Sequence, residues 1–211
     1  MVHYKLTYFE PRGRAEPIRY LFLFSGVDYD YDEVTQTHFA ELLKPTLPFG
    51  QLPILFVDGK PLSQTIAIAK YLAGQFKLTG TDDWDRAMCC SLVDGVQDVF
   101  EKFTEHNYYM VIKSGDTEKA AEIYKKIREE NIAPMLDRYE KFLTDAGGDW
   151  FVANEVTWAD LWIAEFFDHM IDSCRDKTLL DNHPKLKYHW QRVHCFPLIQ
   201  AHRLKRNPSV F

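Results

Sequence analysis

Apolar and polar positions change period several times along the first eighty residues. Tyr4, Leu6 and Tyr8 alternate with Lys5 and Thr7, the period of two that predicts a strand. From Ala15 to Ser25 the run AEPIRYLFLFS has a helical pattern, and Gly26 supplies a natural stop. YDYDEV (29–34) alternates again, and FAELL (39–43) predicts a short helix ended by Lys44-Pro45. PILFV (53–57) reads as a buried strand, Asp58-Gly59 as a hairpin turn and KPL as a short returning strand. SQTIAIAKYLAGQF opens on a capping Ser/Thr and then carries an apolar stripe. The order β-α-β-α-β-β-α defines a small α/β domain over residues 1–78.

The polar stretch that follows, LTGTDDWD, predicts a linker at 79–84. Beyond it the period is helical throughout, so 85–211 is expected to be an all-α domain. One long helix is predicted over DRAMCCSLVDGVQDVFEKFTEHNYYMVIK. A second, over EKAAEIYKKIREENIAPMLDRYEKFL, should be kinked or broken at Pro134. TWADLWIAEFFDHMI begins with Thr157 and Asp160 three apart, an acidic capping box. HPKLKYHWQRVHCF and PLIQAHRLK supply two more helices.

Composition narrows the function classes. A net charge of −6 over 211 residues, with no basic stretch, argues against a nucleic-acid partner. No apolar run approaches the roughly 20 residues of a membrane span, and the start of the chain has no signal-peptide pattern. Cys89, Cys90, Cys174 and Cys195 do not form a disulfide framework, which suggests reduced thiols and a cytoplasmic protein. The histidines show no metal-ligand spacing, so no metal is expected.

Three segments carry candidate chemistry. Tyr8 ends the first strand, and the turn after it holds Arg12, Gly13 and Arg14 before a helix begins. Strand-to-helix turns of this kind bind ligands, and the arginines favour an anion. A tyrosine hydroxyl there could donate to a thiolate and lower its pKa from about 8.5. PFGQLPIL (48–55) places Pro53 at the opening of a strand, suggesting a cis Leu52–Pro53 bond with the Leu52 backbone turned to a ligand. In LSQTIAIAKYLA, Gln64 and Thr65 start a helix that lacks its own carboxylate, so its free N–H groups could take a ligand's. Each segment also has a plainer reading: a strand aromatic with solvated arginines, a turn proline, an ordinary cap.

Together YFEPRGRAEPIR, PTLPFGQLPILFVDGK and SQTIAIAKYLA resemble the glutathione transferases, in the tyrosine-type, sigma-class branch near the nematode enzymes and the glutathione-dependent prostaglandin D synthases. The resemblance implies a thioredoxin-like first domain and an all-α second domain contributing an electrophile pocket. It implies no cofactor, glutathione being a co-substrate, and a detoxification enzyme that conjugates hydrophobic electrophiles as a homodimer. Tyr8 would hold the thiolate and Arg14 would tune it. Lys44, the Leu52 backbone beside cis-Pro53, Gln64 and Thr65 would bind glutathione, and Asp98 would reach the site of the neighbouring subunit. Two departures stand out. The segment HFAELLKP is one residue longer than in many relatives, so Phe39 or a neighbour takes the place of the family's usual Trp, and Gln51 stands where several relatives have a Lys. Phe9, Gly13, Tyr108 and Phe211 are candidates for the second-substrate pocket. Prostaglandin isomerisation, or non-catalytic carriage of haem or other apolar ligands, are the alternatives.

Overall fold

The computed structural model describes residues 2–206. The described residues form two compact units, one of 2–78 together with 195–206, the other of Thr79–His194.

The first unit is built on a four-stranded sheet in the order β2-β1-β3-β4, with β1 Tyr4–Tyr8, β2 Asp30–Glu33, β3 Ile54–Val57 and β4 Lys60–Ser63. β1 and β2 are parallel, joined through helix α1 (Glu16–Ser25), while β3 runs antiparallel to both β1 and β4. Asp58 and Gly59 both take positive φ at the β3–β4 hairpin (48° and 80°), as a two-residue turn that matches strand twist requires. Alternation alone would leave Thr7 outside. It is buried, like its neighbours Leu6 and Tyr8, because β1 is an interior strand. Gly26 closes α1 in the left-handed conformation at φ 61°.

Two expectations change here. The helix expected at 39–43 starts earlier, as the short turn α2 (Gln36–His38) capped by Thr35 Oγ1, and runs into a wide turn over Phe39–Leu43. The Lys44 N–H bonds the Phe39 carbonyl five residues back at 2.8 Å. A wide turn of this kind absorbs one extra residue without displacing what flanks it. Helix α3 (Thr65–Gln75) is not capped by a Ser or Thr side chain: its N-cap is Gln64, at φ 74° and without a side-chain cap bond. The last described helix, α10 (Pro197–Lys205), packs on α1, and Phe196 stands edge-on to Phe24 at 4.8 Å. It belongs with the sheet unit, not with the helices that precede it.

The second unit contains α4 (Asp83–Glu105), α5 (Tyr108–Ser114), α6 (Thr117–Ile127), α7 (Ala133–Asp145), α8 (Trp158–Ser173) and α9 (Pro184–His194). Every residue of α8 from Trp158 to Met170 is buried, so this helix is the centre around which the others pack. Asp160 anchors its start. Oδ2 accepts from the Thr157 amide and hydroxyl at 2.8 and 2.7 Å, while Oδ1 lies 3.0 Å from both the Phe151 amide and His189 Nε2. The long helix expected over 85–113 breaks at Asn107, which is left-handed at φ 51°, a conformation asparagine tolerates better than most residues. Pro134 falls in the first turn of α7 after a wide turn at Arg128–Ile132, so the proline separates two helices. Among the described residues no helix is long and apolar enough to cross a membrane.

Candidate active site

The strand register brings the three sequence segments together. Thr7 pairs with Ile54, and Ile54 pairs with Ser63. One step beyond that row, at the same end of the sheet, stand Tyr8, Pro53 and Gln64. The Leu52–Pro53 bond is cis, and Leu52 lies outside the β1–β3 ladder, which stops at Ile54.

Tyr8 is 9% exposed. Its Oη accepts a hydrogen bond from the Arg14 backbone N–H at 3.0 Å. That contact depends on Gly13. At φ 37°, Gly13 brings its backbone so close that a Cβ there would sit 2.5 Å from Tyr8 Oη. Burial raises the phenol's pKa, and the Arg14 amide with the charges of Arg19 and Arg14 offsets only part of that rise. At neutral pH Tyr8 is therefore a neutral donor. Its oxygen is already engaged by an amide, and its O–H has no acceptor among the described residues. Such a group can donate one preorganised hydrogen bond to an anion. The Arg14 side chain is exposed.

Gln64 Nε2 donates to Gln51 Oε1 at 3.3 Å. A glutamine at φ 74° is a backbone outlier worth roughly 1–3 kcal/mol. The first intrahelical acceptance in α3 is by the Gln64 carbonyl, from Ile68, so the amides of Thr65, Ile66 and Ala67 are open donors at this end of the sheet. Phe39 packs edge-on to Phe9 at 5.5 Å, and Phe9 lies 5.3 Å from Tyr8. Lys44 is exposed, with its stem along Gly50.

Asp98 and Tyr108 belong to the helical unit. Asp98 is exposed on α4, in the helical unit, on a cleft of about 370 Å³ with Gly95, Arg138 and Tyr139. Tyr108 is packed inside the helical unit. Only 3% exposed and ringed by Phe103, Tyr109 and Tyr124, it is a core side chain of the helical unit. Its hydroxyl is bonded to Cys174, whose thiol burial pushes up to about 12. Phe211 lies outside the described residues. All four cysteines are free, and no metal-binding group of His, Cys, Asp and Glu occurs among the described residues.

Sequence reasoning missed Arg19. It is buried, and its guanidinium donates to the carbonyls of Phe9 (3.3 Å) and Arg12 (3.2 Å) on the Tyr8 turn and to Glu16 Oε2 (2.8 Å). The available signal was a lone cation inside the apolar run EPIRYLFLF.

Comparison with known proteins gives the family. The family model for the glutathione S-transferase N-terminal domain matches residues 4–74, and that for the C-terminal domain matches 101–206. Glutathione S-transferase 3 of Caenorhabditis elegans is 36% identical, and human hematopoietic prostaglandin D synthase is 34% identical. The first comparison covers the whole of both chains, the second all of this chain and 99% of the relative. The solved structure of a Nu-class GST from Haemonchus contortus superposes with a TM-score of 0.87 at 34% identity, covering both chains completely. The chain belongs to the glutathione S-transferase family. Its first unit has the family's thioredoxin-like fold, its second unit is the family's helical domain, and its activity is glutathione transfer.

Proposed function

We propose that Tyr8 donates its hydroxyl proton in a hydrogen bond to the sulfur of bound glutathione, holding it as a thiolate that attacks hydrophobic electrophiles. The observation that carries this reading is the Arg14 N–H donated to Tyr8 Oη, which leaves the phenol a donor with no acceptor among the described residues. A hydrogen bond made to the charged form lowers the thiol's pKa. Arg14 adds positive charge at the turn. Gln64 and the open amides behind it receive the γ-glutamyl carboxylate, the Leu52 backbone beside Pro53 pairs with the cysteinyl backbone, and Lys44 meets the glycyl carboxylate. Phe39 and Gln51 border the tripeptide. Phe9 and Gly13 face the second substrate. The active form is a homodimer, with Asp98 of the partner subunit holding the γ-glutamyl amine, in a cytoplasmic enzyme of detoxification. The 34% identity to a prostaglandin D synthase supports a second reading, isomerisation by the same thiolate.

Replacing Tyr8 with Phe tests the mechanism. Conjugation of a chlorodinitrobenzene should slow by roughly 10²-fold, the scale for one lost preorganised donor. The titration midpoint of bound glutathione, followed by thiolate absorbance, should rise. An unchanged midpoint removes Tyr8 from the mechanism. A prostaglandin H-type endoperoxide assay on the same sample separates the two readings.

A further inference from the structure

The first unit encloses an ion pair that the proposed chemistry does not use. Glu16 is 1% exposed and Arg19 is 5% exposed. Removing two charges from water costs several kcal/mol, and apolar side chains of similar size hold a core together at least as well. Nor is the pair there to fill space. A cavity of about 440 Å³ lies against it, lined also by Glu10, Arg12, Tyr29 and Lys205.

What the pair does hold is backbone. Arg19 Nη2 donates to the Phe9 carbonyl and to Tyr31 Oη, and Tyr31 Oη donates to that same carbonyl. Two donors thus converge on the peptide oxygen immediately after Tyr8. Nη1 reaches the Arg12 carbonyl, just before Gly13. The guanidinium therefore grips the turn at both ends, and it stands 5.9 Å from the Tyr8 ring. Glu16 grips the guanidinium in turn through Oε2, while its Oε1 lies 2.9 Å from Nε2 of His202 in α10 and 3.2 Å from Nη1 of Arg206, the residue that caps the end of α10. An unbroken chain of contacts runs from α10 through Glu16 and Arg19 to the Tyr8 turn.

We propose that Arg19, Glu16 and Tyr31 are positioning residues for the thiolate-stabilising hydroxyl, and that α10 sets them through His202 and Arg206. This rests on the reading of Tyr8 given above. None of the five is among the residues given a contact with glutathione above. They fix where Tyr8 Oη stands, and an error of about 1 Å at such a group can cost 10²-fold in rate.

The experiment compares Tyr31→Phe, Arg19→Lys and the double variant His202→Gln/Arg206→Gln with Tyr8→Phe, measuring kcat, KM for glutathione, the midpoint of the bound thiol and thermal stability. Tyr31 is 36% exposed, so its hydroxyl can be removed without unfolding the chain. Tyr31→Phe should lower kcat about fivefold and raise the thiol midpoint, with KM for glutathione within about twofold. Arg19→Lys keeps the charge but cannot reach three acceptors in one plane, and should lower kcat by about 10²-fold. The α10 double variant should act in the same direction, about threefold. In a Tyr8→Phe background Tyr31→Phe should move the midpoint no further, because both act through one hydroxyl.

If Tyr8→Phe shifts the midpoint while Tyr31→Phe and Arg19→Lys change only thermal stability, the pair is structural and the proposal is overturned. A positioning effect without any effect of Tyr8→Phe overturns the Tyr8 reading instead. A silent α10 variant beside an active Tyr31→Phe excludes α10 from the unit. Should Arg19→Lys fail to fold, Tyr31→Phe decides alone.

Discussion

Tyr8 illustrates how little a residue's type says without its neighbours. The chain has 11 tyrosines, and buried ones such as Tyr20 and Tyr108 serve as packing. Tyr8 differs because Gly13 lets an amide reach its oxygen. Gly13→Ala should therefore fail on two counts, a left-handed φ and a methyl 2.5 Å from the hydroxyl. We expect a loss of roughly 2 kcal/mol in denaturant unfolding and a kcat near that of Tyr8→Phe. Part of the stability should return in the Gly13→Ala/Tyr8→Phe double variant, where the hydroxyl is gone. If nothing returns, the clash is with the turn and not with Tyr8. Glu16 gives a pH test. Burial alone would raise its carboxyl's pKa, but His202, Arg19 and Arg12 outweigh it and hold the group well below the usual carboxylate range. A depressed folded pKa stabilises fully above the unfolded value near 4.3 and is lost as pH falls toward the folded one. The stability difference between the natural chain and Glu16→Gln should therefore shrink as pH drops below about 4. A difference that grows on acidification contradicts the assignment.

Among the elements, α3 and α8 begin in opposite ways. α8 is capped within its own chain by Asp160, which satisfies donors from Thr157, Phe151 and His189. Asp160→Asn would turn an amide group toward some of those donors, and should cost about 3 kcal/mol in the denaturant midpoint with no change in KM for glutathione. α3 instead starts on a strained Gln64 and leaves its amides open. Gln64→Gly should raise KM for glutathione while leaving kcat nearly unchanged, since the contact is to the non-reacting end of the tripeptide. It should not lower stability, because glycine accepts φ 74° freely. A kcat that falls as far as kcat/KM would place Gln64 elsewhere. Much of this was legible in the residues. Alternation in β1, the Asp58-Gly59 turn and the X-Pro opening of β3 together specify the row that aligns Tyr8, Pro53 and Gln64. The Thr157–Asp160 spacing foretold the α8 cap. The break at Asn107 was not legible, because helical apolar spacing runs straight through it and one residue in left-handed conformation leaves no trace in periodicity. The wide turn after α2 was hidden too, since an extra residue alters bonding without altering composition.

For the molecule as a whole, the shared-site reading makes assembly testable. Mixed dimers of Tyr8→Phe and Asp98→Ala chains should regain activity above either parent, because one of the two sites then has both an intact Tyr8 and an intact Asp98 from across the dimer. No rescue, with heterodimers confirmed by mass, would retire the shared site and leave the Tyr8 chemistry standing. Domain membership was the least legible feature. PLIQAHRLK looks like any other amphipathic helix, and only the contacts of Phe196, His202 and Arg206 show that it completes the first unit. That has a consequence for synthesis. Residues 1–78 carry Tyr8, Pro53 and Gln64 and leave the ribosome before the helical unit, but Phe24 and Glu16 meet Phe196 and His202 only after more than a hundred further residues have been made. At ordinary elongation rates of about 5–20 residues per second, the nascent sheet unit waits on the order of ten seconds with the α1 face uncovered. The helical unit is translated in that interval, so the sheet unit is completed only after the unit that follows it in the chain.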